Sequence, residues 1–309
     1  MKKQLRKAMI CTVAMMLVAV LTLTGVTYAW FSDSDSATVD GITMDVVSKD
    51  GGVYISKEAY PAVFDISVAI EPGKDIFTGK HNPASTAGTL SGGKLKFYSG
   101  TLGSSTDQTL DIEAVSEEGY YFEQDIYFDN STGGKDITVS LAGTEIAPVG
   151  GKRTDLAARI AVVTHGSIGI EDFKNQNDYP VASSIDAVQI YEPNSTEHIP
   201  AGVTEYQKNI KPEAGQADAF KYYGLNGTGT DINRFGKTAA TQLVDMTTLM
   251  HTDKTTPVLK KKAEDVKITV PQGQYLKTTI YVWLEGQDAD CQNNISAKPY
   301  TAAIKFTLE

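Results

Sequence analysis

The side chains able to do chemistry are few and dispersed. Four histidines, His81, His165, His198 and His251, stand in polar surroundings, and none belongs to a His-Glu-x-x-His pair or a Cys/His cluster. Zinc needs such ligands at short, regular spacing on one element, so no zinc motif is present, and the four read as loop or surface histidines. Ser167 lies in Gly166-Ser167-Ile168-Gly169, which lacks the glycine two residues before the serine that a nucleophile elbow requires. Gly88 to Lys94 has the spacing of a phosphate loop, but Leu95 stands where Ser or Thr would ligate magnesium. The stretch Leu95-Lys96-Phe97-Tyr98 reads as strand and not as a helix whose N-terminal amides would hold phosphate. Gly-Gly-Lys recurs at Gly133-Gly134-Lys135 and Gly150-Gly151-Lys152, the pattern of repeated turns.

Carboxylates gather twice, as Asp33, Asp35 and Asp40 and as Glu285, Asp288 and Asp290. Oxygen-rich loops of this kind suit calcium, yet neither has the EF-hand register, since Ala37 and Thr38 occupy a ligand position and the glycine position in the first. Glu285, Asp288 and Asp290 are the candidate calcium ligands, beside the plainer reading of an acidic turn kept for solubility. No other cofactor is expected, and no catalytic motif marks an enzyme. Cys291 adjoins this second loop and Cys11 lies in the N-terminal apolar run, so beyond that run there is one thiol and no internal disulfide.

The elements that would position these groups begin with an export segment. Lys2, Lys3, Arg6 and Lys7 precede an uncharged run from Ala8 to Ala29, and a positive stretch before an apolar one is a secretory signal. The run closes on Gly25-Val26-Thr27-Tyr28-Ala29, small residues where a signal peptidase would cut between Ala29 and Trp30. A retained membrane anchor is the alternative, because the run is long enough to cross a hydrocarbon core of roughly 30 Å. The chain's only expected membrane contact is this segment.

The chain has 28 basic and 38 acidic residues, and loss of the four leading basic ones leaves 24 against 38, a charge of about −14. Such acidity argues against nucleic acid as a partner and against docking on anionic lipid. The scarcity of cysteine in an exported chain favours a bacterium, where the sequons at Asn130, Asn194, Asn226 and Asn294 are chance matches.

Residues 30–309 read as a single mostly β domain, an antiparallel β-sandwich or jelly roll. Alternation runs through Ile42, Met44 and Val46, then Phe64, Ile66, Val68 and Ile70. Tyr120 to Phe128 and Ile137 to Leu141, joined by Asn130-Ser131-Thr132-Gly133-Gly134, predict a hairpin. Leu156 to Val163 is nearly all apolar, as in a strand covered on both faces, though its length also suits a short helix. Leu276 to Leu284 and Tyr300 to Leu308 are rich in β-branched and aromatic residues and should be core strands. From about 165 to 262 the pattern weakens into a loop-rich insertion. Ile185 to Tyr191 is strand-like there, and Leu243, Met246 and Met250 would share one face of a short helix over Lys237–Met250.

The signal junction, Gly25-Val-Thr-Tyr-Ala-Trp-Phe-Ser-Asp-Ser followed by Ala37-Thr-Val-Asp-Gly-Ile-Thr-Met-Asp-Val46, resembles the start of TasA/camelysin-like proteins of Gram-positive bacteria, exported through a SipW-type signal peptidase. The likeness covers about the first 50 residues; beyond them it is architectural only. It implies a secreted, extracellular jelly-roll subunit that assembles into biofilm-matrix fibres, whose partners are its own copies or other matrix and surface proteins. The metalloprotease activity ascribed to camelysins has no metal motif here to carry it. Strand addition supplies a physical route: an extended N-terminal arm leading into Ile42, Met44 and Val46 would be donated to a neighbour's sheet edge. The alternatives are pairing of that strand within its own sheet in a monomeric adhesin for host protein or glycan, and a secreted hydrolase.

Overall fold

Alternating strands with turn residues between them fold, in the computed structural model, into two six-stranded sheets facing each other across a hydrophobic core. The structure describes residues 39–47, 53–70, 82–86, 88–102, 110–116, 119–149, 154–193, 223–224, 244–245, 258–260, 262–286 and 300–309. In chain order the strands are β1 (Val39–Val47), β2 (Tyr54–Ser56), β3 (Ser67–Ile70), β4 (Leu90–Ser91), β5 (Lys94–Leu95), β6 (Phe97–Leu102), β7 (Leu110–Val115), β8 (Tyr121–Asp129) and β9 (Ile137–Ser140). They continue as β10 (Glu145–Pro148), β11 (Ala158–Gly169), β12 (Val188–Tyr191), β13 (Tyr223–Gly224), β14 (Val244–Asp245), β15 (Val258–Lys260), β16 (Lys267–Val270), β17 (Gln274–Leu284) and β18 (Tyr300–Leu308). One short helix, α1 (Ile170–Lys174), follows β11.

The first sheet runs β16-β9-β18-β1-β3, with β10 beside β9 along the same edge of β18. The second runs β15-β12-β11-β17-β8-β2. Most pairs are antiparallel; β1 with β18 and β12 with β15 are parallel. Met44, Ile268, Ile304 and Phe306 of the first sheet meet Phe122, Ile126, Ile160 and Val282 of the second. The mostly β sandwich expected from the alternation is therefore present.

The second sheet is buried on both faces. Its outer face carries Tyr121, Ala161, Val163, Tyr281 and Trp283, covered by Leu95 and Phe97 from the small hairpins β4–β5 and β6–β7. Phe97 stacks on Tyr121 at 4.1 Å between ring centroids and meets Trp283 edge-on at 5.3 Å. Double coverage is why Leu156 to Val163 reads as a nearly continuous apolar run instead of alternating. The run is a strand from Ala158, entered through a 3-10 turn at Thr154–Ala157. Gly92 and Gly93 form the two-residue turn of β4–β5, both with positive φ, so the phosphate-loop spacing is hairpin geometry.

Three expectations change. The hairpin predicted from Tyr120 to Leu141 does not form: β8 pairs with β17 and β2 in the second sheet, whereas β9 pairs with β16 and β18 in the first. Asn130 turns the chain across the sandwich, its Nδ2 donating to the carbonyls of Lys135, Val270 and Pro271 at 3.0 to 3.1 Å. Gly133 must lack a side chain, because a Cβ there would lie 1.8 Å from Asn130 Oδ1. Second, the insertion expected from about 165 begins inside a core strand, since β11 continues to Gly169 and β12 and β15 extend the same sheet. Third, within the helix expected over Lys237–Met250 the described pair Val244–Asp245 is a strand bonded to Tyr223–Gly224; the rest of that span lies outside the described residues.

Candidate functional site

β1 is held unequally along its two edges. It pairs with β18 in parallel from Val39↔Tyr300 to Val47↔Thr307, but with β3 over Ile42 to Asp45 only. Met44 is completely buried in the main core, beside Thr43 exposed and Asp45 half-buried, as alternation along a strand places successive side chains on opposite faces. Burying that side chain contributes roughly 1.5–3 kcal/mol. Ile42 pairs with Ala302 and Val46 with Phe306; their side chains lie outside the described residues. The chain then crosses to β2, in the opposite sheet. β1 thus occupies its slot by main-chain pairing and an inward side chain, without a hairpin tying it to β18.

The other predicted residues separate. Ala29 and Trp30 lie outside the described residues, as do Asp288 and Asp290. Glu285 is fully buried and faces inward, where its carboxylate accepts hydrogen bonds from Ser85 Oγ and from Trp283 Nε1 at 3.2 Å. Its backbone joins Ala157 O at 2.8 Å, so it closes the end of the second sheet rather than projecting into an open loop. Among the described residues no group of three or more His, Cys, Asp or Glu is placed to hold a metal ion, and no helix is long and apolar enough to cross a membrane.

Near Glu285 the sheet holds charges the sequence did not advertise. Arg159 Nη2 lies 2.9 Å from Glu192 Oε1 with both side chains buried, and Nη1 donates to Ala158 O at 3.0 Å. A buried pair of this kind fixes geometry more than it stabilises, because desolvation offsets much of the attraction. It joins the start of β11 to the end of β12. The sole sequence signal is an arginine inside an apolar run. Ser167 Oγ donates to Gln274 Oε1.

No protein-family model, curated protein or solved structure matches this chain.

His165 departs from its expected surface position. A bulge in β11 between Thr164 and Ser167 turns its ring onto the outer face of the second sheet, where it is buried. Nδ1 accepts from Ala182 N at 3.0 Å, which leaves Nε2 as the protonated nitrogen, donating to Thr279 Oγ1 at 2.8 Å. Thr279 in turn donates to Asp125 Oδ1 at 2.6 Å, and Asp125 Oδ2 pairs with Lys277 Nζ at 2.8 Å. Burial pushes the imidazole down to about 4; the Lys277 charge adds to this and Asp125 opposes it. Below it lies an aromatic cluster in which Phe173 of α1 stacks on Tyr275 at 3.9 Å and Tyr179 meets Tyr127 at 5.1 Å. Nothing in a lone histidine between Thr and Gly announces this network; it requires three strands to be in register.

Proposed function

We propose that this chain is an exported structural subunit of a bacterial surface or extracellular matrix, and that copies assemble by strand exchange, β1 of one filling the slot between β18 and β3 of the next. The observation that carries the reading is the one-sided hold on β1: eight of its residues pair with β18 and four with β3, with no turn linking it to either. Exchange would replace each intramolecular bond by an equivalent intermolecular one, and a head-to-tail contact that does not close yields filaments. The acidic balance, the N-terminal export signal and the TasA-like junction support the same reading. Calcium bound near Asp288 and Asp290 would be an accessory to it, not a catalytic group.

The test is cysteine trapping in a Cys291→Ser background. Thr43 and Ala303 are paired neighbours on β1 and β18, so Thr43→Cys with Ala303→Cys places two thiols across the slot. Exchange predicts filaments by negative-stain imaging and a ladder of covalent oligomers after oxidation. Cross-links confined to single chains in a monodisperse preparation would overturn it and favour a monomeric adhesin. Sequencing the N-terminus of secreted protein decides separately between cleavage after Ala29 and a retained anchor.

A further inference from the structure

The network around His165 holds down a segment that covers an aromatic surface. From Asn177 to Ala182 the chain passes over the outer face of the second sheet; Asn177 is bonded to Asp172 of α1, N to the carbonyl at 3.0 Å and Nδ2 to Oδ1 at 2.8 Å, and the segment makes four further attachments. Tyr60 Oη donates to Asn177 O, and Tyr179 Oη to Ala59 O at 3.3 Å. Gly166 N donates to Pro180 O at 2.7 Å, and Ala182 N donates to His165 Nδ1 at 3.0 Å. Pro180 lies flat on the bulge: a Cβ on Gly166 would come within 2.6 Å of its ring, which is why that position is glycine. Three of these four further attachments involve no group that gains a proton in mild acid, and the Asp172 carboxylate holds only the Asn177 end, five residues from Ala182. The fourth is made to an imidazole nitrogen.

We propose that residues 177–182 form an acid-released strap with His165 as its catch, so that protonation at Nδ1 frees Ala182 and uncovers Tyr60 and Tyr127 beneath Tyr179. The step is a single proton transfer from solvent to the Nδ1 lone pair. No other bond is made or broken, and the other ring nitrogen keeps its proton. Two N–H groups then face each other where a donor met an acceptor, and both are buried. Among the described residues the ring's hydrogen bonds are those with Ala182 and Thr279. Thr279 is engaged at Nε2, and Asp125 on β8 is hydrogen-bonded to that hydroxyl while its charge favours the imidazolium. Lys277 on β17 disfavours a second positive charge. Lys94, from the hairpin that packs Gly93 against the ring, is paired with Glu123 at the surface. On the strap itself Asp178 is exposed and Tyr179 is a buried phenol, with burial raising its pKa. Opening the strap admits water to the imidazolium and relieves the clash.

The surface it uncovers is already partly open. Tyr60, Phe64 and Phe173 are only partly buried where they pack on this cluster, with Tyr60 meeting Phe173 at 5.5 Å and Tyr179 at 6.0 Å. Releasing Tyr179 removes the ring that lies against both Tyr60 and Tyr127.

Amide-resolved hydrogen exchange on the purified chain tests this, at neutral pH and at about pH 4. Protection of the Ala182 amide should fall by at least about tenfold in acid, the change expected for one unit of difference between the closed and open imidazole, while amides of β17 keep theirs. His165→Asn presents an oxygen close to the position of Nδ1 and carries no titratable proton, so its Ala182 amide should stay protected at both pH values. Equal loss in the two proteins would overturn the proposal. Should the variant fold poorly, nitrogen shifts of the wild-type ring decide: protonation of Nδ1 must coincide with loss of Ala182 protection. A ring that titrates in the ordinary histidine range with the strap still protected would sink it.

Discussion

β17 and β1 are both long strands inside six-stranded sheets, and they are held in opposite ways. β17 lies between β11 and β8, with antiparallel partners along most of both edges and packed residues on both faces. β1 has one full-length neighbour, a second over four residues, and a parallel ladder with its main partner. The slot around β17 is defined by the whole molecule, whereas the slot around β1 is defined chiefly by β18. Exchange between copies, as proposed above, would use the strand with the weaker hold on one edge, whereas exchanging the strand at the centre would take the sheet apart.

The comparison breaks first at Trp283. Removing this buried ring from β17 by Trp283→Ala should cost about 4 kcal/mol, measured as a shift in urea midpoint, since it empties the outer core that Phe97 closes. A cost below about 1 kcal/mol would mean that the outer cover adds little and that β17 is no better held than β1. Acid is the next largest lever. The folded imidazole of His165, at about 4, sits below its unfolded value of roughly 6.5, so the unfolded chain takes up the proton first. Stability is therefore complete above about pH 6.5 and declines as the pH falls towards 4, by at most about 3 kcal/mol. Strap opening would leave the loss short of that ceiling, and His165→Asn should flatten the profile between these limits.

Met44→Ala tests the other side. It should cost about 2 kcal/mol, at the low end for such a deletion because one flank of β1 can relax, and it should reduce filament yield more than Trp283→Ala does at matched stability. Equal effects on filaments would remove the distinction between the two strands. The smallest change is expected at Lys267→Ala, which breaks an exposed pair with Glu309 at 2.7 Å and should shift stability by under about 0.5 kcal/mol.

The strands themselves were legible because β-branched and aromatic residues in Leu276 to Leu284 and Tyr300 to Leu308 fit few other structures. Double burial was legible too, in the nearly continuous apolar run of Leu156 to Val163, interrupted only by Arg159. Which sheet each strand joins was not. The turn at Asn130 to Gly134 has hairpin composition, and only the carbonyls of Val270 and Pro271, distant in sequence, draw the Asn130 amide across the sandwich. The same amide group is committed inside the fold, with the residue 2 % exposed, so the sequon at Asn130 offers no acceptor in the folded chain. Glu285 looked like a loop ligand because Asp288 and Asp290 come soon after it; its inward turn depends on Ser85, two hundred residues away. Buried polar groups of this kind take their meaning from partners that sequence spacing does not reveal.

The parallel ladder between β1 and β18 has a mechanical consequence. Val39 enters beside Tyr300 and Glu309 leaves beyond Thr307, at opposite ends of the paired strands. Tension applied between the two chain ends would drag the strands past each other lengthwise, loading every backbone hydrogen bond of the ladder together. Were the strands antiparallel, with both ends at one side, the same pull would unzip those bonds one after another. Rupture under load is set by the unfolding barrier and not by equilibrium stability. A chain tethered at one end of this ladder and tugged at the other would resist in shear.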